Sequence, residues 1–501
     1  MRLGVAGAGT MGAGIAQLGC QAGIETVLYD PFEEARERGA EYVRKGLEKA
    51  AAKGRLDGEP AELTLTGELD ALAACDLMIE AVPERPDLKR ELFAAVSERN
   101  PDAVIATNTS SILVTSLAGA AARPENVVGM HFFNPPPVMK LVEVIPAEQT
   151  GEEAVRVVTE VAEAMGRHPI VVTDGPGFLV NRCNRPFGAE SLRLLQERVA
   201  THEQIDRIVR LGGGFRMGPF ELMDLVGIDV GYEVAQSFTE QSFGEPRWKP
   251  SPLQARMVAA GKLGRKTGGG WYDYPPGRPD DPPTPEMGGG DGRRVAIDGA
   301  GPLARSLRQR AAQAGFDARE PSGFGGLEEP ELVIDAAVPG PAADLGVGGA
   351  DLAIVADRAL AETGARTGFH LLPPIGALVE LTGERNEEVE RFFAQLGLLA
   401  EWVADAPGLV LGRIAAQLVN EAAFAIGEGV GSPDDVDAGM TLGLNHPRGP
   451  VEWWRAIGTD HVVAVLDALR EERYRLAPLL RRGAPPPAAR SADQEPGAPA
   501  S

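Results

Sequence analysis

Short apolar runs broken by glycine or polar residues set the rhythm of the first 150 residues. Arg2–Ala6 reads as a buried strand, the Gly-rich run Gly7–Gly12 interrupts it, and a helical pattern follows over Ala13–Ala22. Thr26–Tyr29 is a second strand with Asp30 at its end, and Glu33–Lys53 is a charged helix. Leu77–Val82 and Ala103–Thr107 are further apolar strands, followed by Glu84 and by Asn108-Thr109-Ser110-Ser111. Strands alternating with helices predict an α/β domain with a parallel sheet over 1–150. From Gly151 the period turns helical to about Ala260, and a Gly-rich turn with aromatic anchors (261–274) closes an all-α domain over 151–275.

The run Gly7-Ala8-Gly9-Thr10-Met11-Gly12 has the GxGxxG spacing in strand–turn–helix–strand context. Gly7 makes the tight turn, Gly9 lets a pyrophosphate approach the backbone, and Gly12 lets helix and strand pack closely. The helix N-terminus adds free N–H groups and the positive end of its dipole. Asp30 can bind ribose hydroxyls and would repel a 2′-phosphate, and no Arg follows it directly. The expected cofactor is NAD, held by Gly7, Gly9, Thr10, Met11, Gly12 and Asp30 on a Rossmann-type domain.

The stretch Gly129–Glu143 carries the candidate chemistry. His131 ends a run begun by Val127 and Val128, Asn134-Pro135-Pro136-Pro137 makes a rigid corner, and a second apolar run ends in Glu143. The corner can fold the runs side by side, so that His131 meets Glu143. A histidine held by a carboxylate is an oriented general base; the plain alternative is an ordinary His–Glu pair at a domain edge. Asp30, Glu84, Ser110 and His131 all fall at strand ends, where open parallel sheets bind ligands. Ser110 alone reads equally as a helix cap. Asn181, in Asp174–Arg182, is either an exposed residue or a donor aimed at a ligand.

Residues 276–292 are a Pro/Gly/Asp linker, and the tail 481–501 is expected to be disordered. Between them the first half recurs in degraded form. Asp174–Asp229 aligns without a gap on Asp405–Asp460, with 15 of 56 positions identical. GFHLLPPIGALVE (368–380) repeats GMHFFNPPPVMKLVE with two residues deleted, and VAIDGAGPLA (295–304) repeats the first strand and turn. His370 and Glu380 remain, but Gly412 stands opposite Asn181 and Ala359 opposite Ser110. A degenerate Rossmann-like domain is expected over 293–379 and a second helical domain over 380–480, with a structural job.

The net charge of −23 argues against a nucleic-acid or anionic-membrane partner. Three widely spaced cysteines form neither a disulfide framework nor a metal pattern. No apolar run reaches spanning length and no signal peptide precedes the first strand, so the cytoplasm is the expected compartment.

GAGTMGAGIAQ, EAVPE, TNTSS, GMHFFNPPPVMKLVEVI and DGPGFLVNR together resemble the 3-hydroxyacyl-CoA dehydrogenase family, in its short-chain 3-hydroxybutyryl-CoA branch. The long two-copy form is similar to bacterial enzymes of phenylacetate breakdown that oxidise 3-hydroxyadipyl-CoA. The resemblance implies NAD-dependent oxidation of L-3-hydroxyacyl-CoA, with His131 as base, Glu143 orienting it, Ser110 bonded to the reacting oxygen and Asn181 positioning substrate. It places Glu84, Lys89 and Asn108 near the cofactor and Lys53 near the CoA end; Gly46 stands where the family has a serine able to contact CoA. It also implies an acyl-CoA partner and an internal pseudo-dimer of 151–275 with 380–475, leaving further homo-oligomerisation open. A dicarboxylyl chain would need a cation at its far end, for which Lys140, Arg182 and Arg185 are candidates. Rival readings are a dehydrogenase of a free sugar acid such as gulonate, a non-catalytic dinucleotide-binding protein, and one module of a larger β-oxidation complex.

Overall fold

The computed structural model describes residues 1–56, 58–325, 329–338 and 350–483. The expected disordered tail lies outside these residues from 484 onward, as does Pro339 of the second-copy segment 333–339. By backbone contacts the chain divides into two compact units. One comprises Met1–Arg182 with Glu428–Leu444, and the other Cys183–Gly427 with the chain from Asn445.

The first unit is built on an eight-stranded sheet. Its strands are β1 (Arg2–Ala6), β2 (Glu25–Tyr29), β3 (Leu63–Thr66), β4 (Leu77–Glu80), β5 (Val104–Thr107), β6 (Val127–Phe132), β7 (Leu141–Pro146) and β8 (His168–Val171). They lie in the order β3-β2-β1-β4-β5-β6-β7-β8. All neighbours are parallel except β6 and β7, which the 134–137 corner makes antiparallel. Strands buried on both faces explain the continuous apolar runs. Leu3, Val5, Ile79 and Val128 are fully buried at the centre. Two differences from the sequence reading have physical causes. β4 stops at Glu80 because the Glu80 side chain accepts a bond from Val82 N at 2.7 Å and turns the chain. The sheet also runs past residue 150: after helix Glu152–Ala164, β8 adds in parallel on β7, so the periodicity change at Gly151 does not end it.

Helix Pro433–Leu444, from the second repeat, packs on β7 in this unit. Thr173 N donates to Val430 O at 3.1 Å, and Arg182 pairs with Glu428 at 2.7 Å. A Cβ on Gly443 would lie 2.8 Å from Leu141 and 3.5 Å from Phe133, so the helix rests tightly on the strand.

The second unit holds a seven-stranded sheet: β9 (Arg294–Asp298), β10 (Asp317–Arg319), β11 (Leu332–Asp335), β12 (Leu352–Ile354), β13 (Thr367–His370), β14 (Leu378–Gly383) and β15 (Leu399–Trp402), in the order β10-β9-β11-β12-β13-β14-β15. β13 and β14 are again the antiparallel pair. β14 and β15 carry this sheet past 379, where the helical pattern was expected to begin. Around it stand helices of both repeats, and several contacts join them. Ala404 N donates to Val199 O at 2.8 Å. Arg413 bonds Glu190 and Glu197, each at 2.7 Å. Gly212 packs against Leu378 and Leu411. The expected linker is tied down through Asp281, which pairs with buried Arg210.

Candidate active site

The β6–β7 pairing sets His131 directly opposite Glu143. His131 Nδ1 lies 2.7 Å from Glu143 Oε2, and both side chains are buried. The other carboxylate oxygen, Oε1, accepts from Leu179 N at 3.0 Å and Val180 N at 2.9 Å. These amides open helix Val180–Gln196, so the helix N-terminus and the histidine share one carboxylate, a favourable place for an anion. The chain reaches the helix through left-handed Gly177 (φ 70°) and Phe178 (φ 52°). The Asp174 carboxylate fixes the start of that turn by accepting from Val114 N and Thr115 N. Phe133 and Phe178 flank the imidazole at centroid distances of 4.7 and 5.8 Å. With Nδ1–H given to Glu143, Nε2 is the ring nitrogen with no partner among the described residues.

Asn181 is the next residue of that helix and is half-buried. Ser110 is exposed at the β5 rim, its N–H donating to Glu84 Oε1 at 3.0 Å. Asn108 is used by the protein: its Oδ1 accepts from Phe132 N at 2.8 Å, tying the β5 rim to the strand carrying His131. Lys53 is exposed just past helix Glu33–Ala52. Beside Gly46 lies the Gln17 side chain, whose amide oxygen would stand 2.0 Å from a Cβ there, so any side chain at 46 requires Gln17 to turn away.

The nucleotide side fits a dinucleotide. Gly7 (φ 102°) takes a conformation that favours glycine, and a Cβ there would meet Ala81 O at 2.6 Å. A Cβ on Gly12 would lie 1.8 Å from Gly7 O. At Gly9 nothing lies within 4 Å, so that backbone is open to a ligand where the helix of Thr10 and Met11 begins. Asp30 accepts from Ala8 N and Phe32 N, each at 3.0 Å, which fixes its carboxylate beside the turn.

Beneath this rim Glu84 and Lys89, both named from the resemblance, join Glu80, which the sequence reading missed, in one network. Lys89 is only 1% exposed, and its Nζ bonds Glu80 at 2.7 and 2.9 Å and Glu84 at 3.0 Å. Burial pushes the Glu80 carboxyl above its usual range despite Lys89. Burial also acts upward on Glu84, but Lys89, Thr109 and Ser111 outweigh it and hold its carboxyl below that range. Glu84 further accepts from Thr109 Oγ1 (2.6 Å) and the amides of Ser110 and Ser111, so Lys89 and Glu84 shape the rim loop. Glu80 reads in the sequence as one more residue of an apolar strand, and only its distance from Lys89 in space reveals the pair.

The second repeat keeps the strand pairing and loses the site. His370 faces Glu380 in register, but Nδ1 is 4.0 Å from the carboxylate and has no hydrogen-bond partner among the described residues. The ring instead meets His461, Nε2 to Nε2 at 3.1 Å. Glu380 still accepts the amides of Val410 and Leu411. A Cβ on Gly412 would lie 2.3 Å from His370 Cε1, so the ring fills the room a side chain at Asn181's counterpart would need. Gly299 repeats the Gly7 turn (φ 112°), and Gly301, Pro302, Gly458 and Asp460 line a cavity of about 100 Å³ there.

Among the described residues no helix is long and apolar enough to cross a membrane, and no His/Cys/Asp/Glu cluster could hold a metal.

The family model described as "3-hydroxyacyl-CoA dehydrogenase, NAD binding domain" matches residues 2–175, and that described as "3-hydroxyacyl-CoA dehydrogenase, C-terminal domain" matches 177–274 and again 408–489. The chain is 35% identical to 3-hydroxyadipyl-CoA dehydrogenase of Escherichia coli (strain K12), over 96% of each chain. It is 42% identical to a probable 3-hydroxybutyryl-CoA dehydrogenase of Deinococcus radiodurans, over 55% of this chain and all of that one. It superposes on a crystal structure of 3-hydroxybutyryl-CoA dehydrogenase from Escherichia coli K12 with a TM-score of 0.76 and 32% identity, covering 96% of this chain and 98% of the other. The chain belongs to the 3-hydroxyacyl-CoA dehydrogenase family of NAD-dependent oxidoreductases.

Proposed function

We propose that this chain oxidises L-3-hydroxyacyl-CoA thioesters to 3-oxoacyl-CoA, with short or dicarboxylyl acyl groups such as 3-hydroxybutyryl and 3-hydroxyadipyl as substrates. The observation that carries this reading is the buried His131–Glu143 pair, whose carboxylate is held at three points and whose imidazole has one free nitrogen. His131 Nε2 takes the substrate hydroxyl proton. Glu143 holds the tautomer and stabilises the imidazolium that forms. Ser110 and Asn181 donate to the oxygen as it gains charge. NAD, bound along the Gly7–Gly12 turn with Asp30 at its ribose, supplies the hydride acceptor. Lys89 acts beneath the cofactor, setting Glu84 and through it the Ser110 loop; Lys53 meets the CoA end from the surface. In the reverse direction the same imidazolium returns the proton.

The second repeat has a structural part in this reading, as one half of an internal pseudo-dimer. In the sequence alignment Thr173 stands opposite Ala404, Val199 opposite Val430, Arg182 opposite Arg413, Glu197 opposite Glu428 and Gly212 opposite Gly443. The bonds Thr173–Val430 and Ala404–Val199 are therefore reciprocal, as are the pairs Arg182–Glu428 and Arg413–Glu197. Reciprocal contacts are the signature of an isologous two-fold interface.

The test is NADH formation across a panel of 3-hydroxyacyl-CoA thioesters and free 3-hydroxy sugar acids. Turnover of thioesters alone supports the reading, and turnover of gulonate without CoA would replace it.

A further inference from the structure

Helix Val180–Gln196 carries two arginines near its start, and they differ in their surroundings. Arg182 is buried and paired with Glu428. Arg185, half-buried, has no carboxylate partner among the described residues; its Nε is buried without a hydrogen bond to any of them, and the guanidinium lies 5.7 Å from the Phe238 ring. Burial pushes its pKa down to about 10, as for a cation without a counter-charge.

Arg185 lines a cavity of about 190 Å³ together with Arg193, Lys249, Ser251, Gln254 and Arg473. Four of these side chains are cationic and the described lining holds no Asp or Glu; Arg193 lies 3.8 Å from Glu190 and Arg473 2.6 Å from Glu471, which leaves Arg185 and Lys249 as the cations without a carboxylate among the described residues. Gln254 is 3% exposed, yet its amide oxygen is buried without a partner among the described residues. Since amide ends are assigned from their bonds, the same side chain can turn an N–H₂ into the cavity. A cavity this small takes one anionic group rather than a nucleotide, since sites for whole ligands run to about 300–1,000 Å³.

Position selects the anion. Arg185 follows Asn181 by one helical turn, about 6 Å along the axis and on the same face. A carboxylate a few bonds beyond a carbon held at Asn181 lies within reach of that arginine. We propose that Arg185, backed by Lys249 and Gln254, binds the distal carboxylate of a dicarboxylyl acyl chain and selects such thioesters over unsubstituted short-chain ones. This rests on the thioester reading above. A guanidinium suits the role because its fork matches a carboxylate bidentately.

The test is steady-state kinetics of the full chain with 3-hydroxyadipyl-CoA and 3-hydroxybutyryl-CoA. Arg185→Met should lower the adipyl-to-butyryl ratio of kcat/KM by about 10–100-fold, mostly through KM, and Arg185→Lys should restore part of it. Lys249→Gln, at the exposed rim, should shift the ratio the same way by less, and serves if Arg185→Met does not fold. An unchanged ratio, with both substrates weakened equally or neither affected, overturns the proposal and points to the CoA phosphates or to no ligand. A wild-type chain that turns over neither ester overturns the thioester reading as well, which separates the two failures.

Discussion

At the residue scale, one contrast separates the two repeats. Both place a histidine across from a glutamate, and both glutamates accept the first amides of a following helix. In the first, the ring reaches the carboxylate at 2.7 Å; in the second it has turned to His461 and filled the space beside Gly412. The Gly turn offers a matching test. Gly9 has open surroundings and an ordinary φ of −71°, so Gly9→Ala should fold with an unchanged Tm but bind NAD more weakly, as read by titrating NADH fluorescence. Gly12→Ala drives a Cβ into the Gly7 carbonyl and should lower Tm as well. The pairing of His131 with Glu143 and the placing of Asp30 beside the glycine turn were legible because they depend on spacing and strand ends. Glu80, Phe133 and the Leu179 and Val180 amides were not, because their roles arise only from what the fold places beside them.

At the element scale, the strand–corner–strand of β6 and β7 presents His131 and Glu143, and two helices from distant sequence pack beside them. Helix Val180–Gln196 gives its first amides to Glu143, and helix Pro433–Leu444 lies on β7 with Gly443 against Leu141 and Phe133. Gly443→Val should crowd that contact, cost about 1–3 kcal/mol of stability and lower kcat by displacing Phe133 from His131. Thermal melts and steady-state rates check both effects; unchanged turnover would mean that the second repeat does not support the site. The pattern of apolar runs located most strands of the first sheet, but β3 was missed, and so was β8. Its four residues, HPIV, lie between helices and carry too little periodicity to mark a strand without β7 beside them.

At the scale of the whole molecule, the recurrence of motifs was readable in the sequence, as was the presence of Gly412 and Ala359 opposite Asn181 and Ser110. The exchange of packing between repeats was not, since no local pattern states that a helix near residue 440 lies on a strand near residue 143. The second repeat also buries titratable groups that set acid sensitivity. Burial lowers His446 and His461 to about 4 and His370 well below its usual value. Below pH about 6.5 the unfolded chain takes up protons at these sites while the folded chain does not, so their contribution to stability falls as pH drops toward 4. His446, set between Phe187 and Phe215 with Nδ1 unbonded, is the simplest to replace. His446→Phe should reduce the fall in Tm between pH 7 and 5, as measured by calorimetry.

The most direct measurement of the central claim is NADH formation from 3-hydroxybutyryl-CoA by the wild-type chain and by His131→Ala at equal concentration. If His131 is the sole oriented base, kcat falls by about 10²–10⁴-fold in a protein that still melts cooperatively and binds NADH. Retention of most of the wild-type rate would contradict the account, for it would place the proton transfer on another group or in the second repeat.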